Sequence, residues 1–220
     1  MSLAALAGTV CPSLGVVLCN ALYFTPLTAA MERSKAGSLG NLNPLPAALT
    51  VLSNIAWLSY GYAISNPYIV AGNLPGCIAA ITALVMILPL MKGADSLWNM
   101  QAIFVGGSAS IMAVWTWLVF AGINSTARAS VLGMFATAIC ILLFSSPLST
   151  IKKVLAQRSS ESIYAPATAA QCANCALWTT YGWFAVKDVF VWGPNLTGLL
   201  LGLAQLALKI AFPSTNEAGV

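Results

Sequence analysis

The sequence contains no histidine and very little charge. Only 6% of its 220 residues are Asp, Glu, Lys or Arg, whereas roughly 25% is usual in a soluble domain. Without histidine, and without a carboxylate pair or metal-ligand cluster in its place, neither an enzyme nor a metal site is expected. Nine basic and five acidic residues cannot solubilise a chain that is 59% hydrophobic. The composition therefore predicts a protein that crosses a membrane several times.

Signals for three other classes are also missing. The basic residues form no stripe interleaved with aromatic residues, which disfavours a nucleic-acid partner. No basic stretch precedes the first apolar run, so we interpret that run as a membrane helix rather than a cleaved signal peptide. Cys172 and Cys175 form a CxxC, but no second pair accompanies it, and all six cysteines lie in apolar runs. We interpret them as small apolar side chains and expect no cofactor.

Seven apolar runs are long enough to cross a bilayer, which takes roughly 20 helical residues. They cover about 8–31, 44–64, 69–91, 98–122, 129–151, 165–186 and 189–212. Seven basic residues then fall on one side of the membrane, and only Arg128 and Lys187 fall on the other. The positive-inside rule predicts an external N-terminus and a cytosolic C-terminus, and the sequon Asn124-Ser125-Thr126 then lies outside. We expect the plasma membrane, with an endomembrane as the alternative.

The chain repeats itself after 120–122 residues, in the same order and over rare residue types. The matched pairs are Pro26-Leu27 with Pro147-Leu148, Pro46 with Pro166, Trp57 with Trp178, Tyr60-Gly61 with Tyr181-Gly182, Asn73-Leu74 with Asn195-Leu196, and Gly76 with Gly198. We therefore predict an all-α membrane protein of seven transmembrane helices in a 3+1+3 arrangement. Its parts are a first three-helix repeat (8–91), a linker helix (98–122), a second repeat (129–212) and a short cytosolic tail (213–220). The linker helix gives both repeats the same orientation in the membrane.

Two asparagines and two tryptophans fall at one depth, slightly outward of the bilayer centre, when depth is counted at about 1.5 Å per residue. Indole faces stack on the C–H surface of a sugar, and amides donate to and accept from hydroxyls. We expect Asn73, Asn195, Trp57 and Trp178 to line one cavity where the repeats meet. Water, ligand or the other amide would then satisfy each amide. The alternative is that the asparagines bond neighbouring helices.

Prolines ring the predicted inner mouth: Pro26, Pro46, Pro147 and Pro166. Pro26 and Pro147 lie about one turn before the predicted ends of their helices, and we interpret all four as hinges of an inner gate. For any one of them, a static kink is the alternative. Tyr60 and Tyr181, one turn outward of the tryptophans, can close an outer mouth. No acidic residue sits at mid-membrane to carry a proton, so passive transport of a neutral solute is expected.

The motifs SPLSTIKKV, W-x-x-YG, D-x-F and PN-x-x-G follow one another in the second repeat. In that order they resemble the SWEET (saliva/nodulin-type) sugar transporters. The resemblance implies a bidirectional uniporter that carries mono- or disaccharides, such as glucose or sucrose, by alternating access. It also implies site roles. These are sugar binding by Asn73 and Asn195, stacking by Trp57 and Trp178, pocket lining by Ser53, Asn174 and Ser145, an inner proline tetrad, and an outer gate of Tyr60, Tyr181 and Asp188.

Two other classes stay open as alternatives. A PQ-loop transporter of another solute, such as an amino acid, would carry Pro-Gln pairs, whereas these prolines precede Leu or Ala. A seven-helix receptor or photoreceptor would need a mid-membrane lysine or an acidic-basic switch at an inner helix end. The expected partners are a sugar and membrane lipid. A homo-oligomer is also compatible with the sequence, because Gly106-Gly107-Ser108 permits close packing on the linker helix.

Overall fold

The computed structural model describes residues 3–40, 42–91 and 94–213, and in these ranges the chain is helices and connectors with no strand. Lys92, one of the seven basic residues expected on the inner side, and the predicted tail after Pro213 fall outside the described residues. The prediction of an all-α protein with seven helices is confirmed. They are α1 (Leu3–Ala36), α2 (Leu45–Ala63), α3 (Pro67–Ile87), α4 (Ala94–Phe120), α5 (Ser125–Gln157), α6 (Ala165–Thr180, continued by a π-helical segment Tyr181–Val186) and α7 (Val189–Ala211).

Five helices, α1, α3, α4, α5 and α7, are apolar and long enough to span a bilayer on their own. α1 and α5 are longer than predicted, at 34 and 33 residues. The expectation that they end near 31 and 151 is wrong, because Lys, Arg and Gln are good helix formers and continue a helix beyond its apolar run. A helix of this length measures about 50 Å against a hydrocarbon core of about 30 Å. Their basic ends therefore reach beyond the hydrocarbon.

The α2–α3 and α6–α7 connectors are built in the same way. Ser65 and Lys187 adopt left-handed backbone with φ of 53° and 55°. Each is followed by an extended residue, Asn66 or Asp188, whose side chain accepts a hydrogen bond from the first turn of the next helix. These N-caps satisfy amide groups that a helix start would otherwise leave without a partner. The sequence repeat is therefore visible in the geometry of both turns.

Glycine allows the helices on either side of these connectors to approach closely. A Cβ atom on Gly61 would lie 2.8 Å from Cγ2 of Ile69, and one on Gly182 would lie 2.7 Å from the backbone nitrogen of Trp192. The carbonyl oxygens of the same two glycines accept hydrogen bonds from the N-cap residues, at 2.8 and 2.9 Å. A larger residue at either position would force the helix pair apart.

Packing divides the chain into two compact units. Unit A spans Cys19–Ile139, and unit B combines the residues up to Leu18 with those from Cys140 onward. In unit A, α2 packs on α3 and α4, and small apolar clusters form around Ala48 and Ala83. In unit B, α7 packs on α6 and on the second part of α5. Since both boundaries fall within helices, these units do not test the division into repeats.

Candidate functional site

The two Trp–Tyr pairs have the same geometry in their separate units. The ring centroids of Trp57 and Tyr60 lie 5.9 Å apart at 75°, and those of Trp178 and Tyr181 lie 5.9 Å apart at 74°. Residues three apart share a helix face, and edge-to-face contact is favourable for aromatic rings. Tyr60 and Tyr181 are both buried. Each tyrosine therefore helps to fix the orientation of its own tryptophan.

Asn73 and Asn195 also match each other. The Nδ2 atom of Asn73 donates to the carbonyl oxygen of Ile69 at 2.8 Å, and Nδ2 of Asn195 donates to that of Val191 at 2.8 Å. Both side chains are partly buried. The expectation that water, ligand or the other amide satisfies these groups is therefore incomplete, because the helix backbone already takes one N–H of each. A primary amide has a second N–H and an acceptor oxygen in addition.

Both tryptophans pack in surroundings that include a small residue of another helix. A Cβ atom on Gly15, in α1, would lie 3.0 Å from Nε1 of Trp178. Trp57 packs against a buried cluster that includes Ala136 of α5. Gly15 and Ala136 are 121 residues apart, which is the repeat spacing. Trp178 thus lies close to Gly15 of α1, and Trp57 packs on a cluster that contains Ala136, the residue at the same repeat position in α5.

The remaining pocket candidates differ in burial. Ser53 and Asn174 are buried, and the Oδ1 atom of Asn174 has no hydrogen-bond partner among the described residues. Ser145 is exposed, and its hydroxyl donates to the carbonyl oxygen of Leu142 at 2.7 Å. The backbone therefore already engages the hydroxyl that was expected to line the pocket.

The four prolines occupy three different settings. Pro46 and Pro166 lie in the first turns of α2 and α6, where a missing N–H costs little. Pro26 lies inside an uninterrupted helical stretch, Cys11–Ala36. Pro147 follows an interruption of α5 at Phe144. The expectation that Pro26 and Pro147 lie one turn before their helix ends is wrong, because both helices continue for about ten more residues.

Asp188 is the N-cap of α7. Its Oδ1 atom accepts from the backbone nitrogen of Phe190 at 2.9 Å, and the side chain is partly buried. A carboxylate at a helix N-terminus is also favoured by the helix dipole. The residue expected in the outer gate therefore also anchors the start of the helix that carries Asn195.

Sequence reasoning missed two polar side chains. Asn54 is only 1% exposed, and neither atom of its amide has a hydrogen-bond partner among the described residues. The repeat offers a signal here, because the equivalent position in the second repeat holds Cys175. Gln205 donates through Nε2 to the carbonyl oxygen of Pro147 at 3.3 Å. Nothing in the local sequence indicates that contact.

A cavity of about 180 Å³ lies in unit A, and none of the predicted sugar residues lines it. It is lined by Tyr62, Ala63, Trp115, Ser125 and Arg128. On one side of the cavity, the indole nitrogen of Trp115 donates a hydrogen bond to the hydroxyl of Ser59 at 3.0 Å, which holds the Trp115 side chain in place. In the described part of the chain, no three His, Cys, Asp or Glu side chains come together as metal ligands.

Comparison with known proteins gives consistent matches. The family described as sugar efflux transporters for intercellular exchange (MtN3/saliva) matches the chain twice, over residues 9–93 and 130–217. The sugar transporter SWEET1 of Rattus norvegicus is 25% identical over 89% of this chain and 87% of its own length. The bidirectional sugar transporter SWEET12 of Oryza sativa subsp. japonica is 26% identical over 93% of this chain and 68% of its own length. A solved structure of a eukaryotic SWEET transporter aligns with a TM-score of 0.85 at 22% identity, covering 96% of this chain and 99% of that one.

Proposed function

Because the chain belongs to the SWEET family of sugar transporters, and is thus an integral membrane protein and not an enzyme, we propose that it is a bidirectional uniporter. It lets mono- or disaccharides, such as glucose or sucrose, pass down their gradient by alternating access. The observation that carries the proposal is the doubled geometry of the candidate site. The two Trp–Tyr pairs agree within 1° in interplanar angle, and the two asparagine bonds have the same length.

Asn73 and Asn195 bind sugar hydroxyls in this proposal, and Trp57 and Trp178 stack on the sugar. The chemistry of the amide supports this role. The bond to the helix backbone uses one N–H and holds the side chain in a defined rotamer, while the amide keeps a second donor and an acceptor. A side chain that is already ordered loses less entropy when it binds a ligand. Ser53, Asn174 and Ser145 lie around the sugar, and Ser145 offers its oxygen as an acceptor.

The proposed transport needs no coupled ion. All five acidic residues, Glu32, Asp95, Glu161, Asp188 and Glu217, occupy connectors, chain ends or helix ends in the sequence. A proton-coupled transporter places an ionisable group within the membrane. With the N-terminus outside, the basic ends of α1 and α5 reach the cytosol, as the positive-inside rule requires. We propose the plasma membrane, the prolines as inner-gate hinges, and Tyr60, Tyr181 and Asp188 as the outer gate.

Flux into liposomes tests the function directly. The purified protein is reconstituted without an ion gradient, and uptake of labelled glucose and sucrose is followed. We expect uptake that equilibrates and does not respond to an imposed pH gradient. Asn73→Ala and Asn195→Ala each remove amide hydrogen bonds and should reduce uptake at low sugar concentration by roughly three- to tenfold. Asn99→Ala removes an exposed amide from α4 and serves as the matched control.

Two results would contradict the proposal. One is uptake at the wild-type rate in both site variants, which would exclude these asparagines from binding. The other is the absence of sugar uptake unless a proton gradient is present. Proton-driven uptake of an amino acid in the same liposomes would then favour the PQ-loop alternative.

A further inference from the structure

α5 consists of two helical parts that meet at Phe144. The second part, Ser145–Gln157, is called the inner arm here. Pro147 lies in its first turn and has no N–H, so the carbonyl oxygen of Leu143 has no helical donor at that place. The hydroxyl of Ser145 donates to the neighbouring carbonyl oxygen, that of Leu142, at 2.7 Å. These features make the junction a point at which the arm can change direction relative to the rest of α5.

The inner arm is tied to α7 near its beginning and just after its end. Near its beginning, the amide of Gln205 donates to the carbonyl oxygen of Pro147 at 3.3 Å. Just after its end, the backbone nitrogen of Ser160 donates to the carbonyl oxygen of Phe212 at 3.0 Å. The Arg158 guanidinium lies 5.5 Å from the centroid of the Phe212 ring, a cation–π contact. Between the two ties, Val154 is fully buried.

The first repeat lacks the tie made by Gln205. α1 runs without interruption through Pro26, the equivalent of Pro147. Ala83 occupies the position equivalent to Gln205, 122 residues earlier, and packs in an apolar cluster with Ala30 and Ile87. The two repeats therefore hold their corresponding helices together by different means. A glutamine in an apolar helix also requires a partner, since an unsatisfied amide is costly in hydrocarbon.

We infer that Gln205 is a positioning residue that joins the inner arm to α7, so that the two move as one body about the Phe144 junction. Asn195 lies ten residues before Gln205 on the same helix, or about 15 Å along its axis. A sugar bound by Asn195 is thereby connected, through α7 and Gln205, to the carbonyl oxygen of Pro147. The role of the sugar in this inference rests on the proposed function, whereas the tie between the arm and α7 does not.

Two variants separate the donor from the shape of the side chain. Gln205→Met keeps a similar length but cannot donate a hydrogen bond, and Gln205→Lys keeps a donor. Gln171→Met is the matched control, because the amide of Gln171 donates to Sγ of Cys175 within α6 at 3.5 Å and joins no second helix. All proteins are studied as the full chain in lipid nanodiscs and in liposomes.

Hydrogen exchange of the arm and sugar transport are measured on the same variants. Loss of one hydrogen bond should raise amide exchange in residues 148–157 roughly fivefold in Gln205→Met. Exchange should stay near the wild-type rate in Gln205→Lys and Gln171→Met. Equilibrium sugar affinity should stay within about twofold of wild type in every variant, since no sugar contact changes. The maximal flux should fall several-fold in Gln205→Met and recover in Gln205→Lys.

Four other outcomes are possible, and each would contradict either one part of this inference or the proposed function. Unchanged exchange of the arm in Gln205→Met would show that the bond does not hold the arm. Faster exchange with unchanged maximal flux would show that the tie does not couple to transport. An equal loss of flux in the Met and Lys variants would overturn the role of the donor. Wild-type protein that carries no sugar, while Gln205→Met still loosens the arm, would contradict the proposed function and support the tie.

Discussion

The Gly15→Ala substitution should weaken sugar binding through Trp178, although Gly15 itself is not expected to touch the sugar. The added methyl carbon would lie 3.0 Å from Nε1 and 3.1 Å from Cε2 of the indole. Non-bonded carbon atoms prefer about 3.5–4.0 Å, so the ring must move by roughly 0.5 Å. Trp178 is only 7% exposed and contacts Tyr181 edge to face, so the displacement also disturbs that pair.

Two opposing terms set the expected magnitude. Overpacking a buried site typically costs about 1–3 kcal/mol. Replacing a helical glycine by alanine returns up to about 1 kcal/mol of helix propensity. The net loss of stability should therefore be about 0–3 kcal/mol. Displacement of a stacking ring should remove about 1 kcal/mol of aromatic contact, which is roughly a fivefold increase in the Kd for sugar.

Binding of labelled sugar to detergent-solubilised protein measures the Kd, and a thiol-reactive dye reports unfolding. The dye is suitable because all six cysteines are free and none is exposed. Gly8→Ala is the matched control. It lies about two turns earlier on α1, and its Cβ would make an ordinary 3.9 Å contact with Ala185. The control should bind like wild type, and a wild-type Kd in Gly15→Ala as well would refute the reasoning.

Two further predictions concern polar side chains. Asn54→Cys removes a buried amide that has no hydrogen-bond partner among the described residues, and it introduces the residue found at the equivalent position 175. It should therefore stabilise the protein by about 1–3 kcal/mol. A melting temperature below that of wild type would contradict this explanation. Asp188→Ala removes the acceptor for the Phe190 N–H and should destabilise the protein by about 1 kcal/mol, whereas Asp188→Asn keeps an acceptor. Equal melting temperatures for the two Asp188 variants would argue against the capping role.

The number of helices follows from the sequence, because the lengths of the apolar runs can be read from the chain itself. The equivalence of Trp57 with Trp178, and of Asn73 with Asn195, also follows, because a repeat of rare residue types is visible in the sequence. The ends of α1 and α5 could not be predicted in this way. Charged residues leave the hydrocarbon without leaving the helix, so an apolar run gives only a minimum length. The same error placed Pro26 and Pro147 too close to the helix ends.

The partners of polar side chains were the least predictable part of the candidate site. An asparagine in an apolar helix bonds a ligand, a neighbouring helix or its own backbone with the same donor, and the sequence does not distinguish these cases. Asn73 and Asn195 bond the carbonyl oxygen four residues earlier. The contact of Gln205 with Pro147 joins residues 58 apart, and it has no counterpart in the first repeat from which it could have been inferred.

During biosynthesis, the residues up to Leu18 are made before those from Cys140 onward, yet the two segments pack in one unit. The indole that lies against Gly15 belongs to residue 178, which leaves the ribosome only after most of the chain has been made. Many proteins fold progressively from the N-terminus during translation, but this part of α1 cannot complete its packing in that order. A nascent chain that stalls before α6 therefore presents an unfinished helix face to lipid, insertases and quality-control proteases.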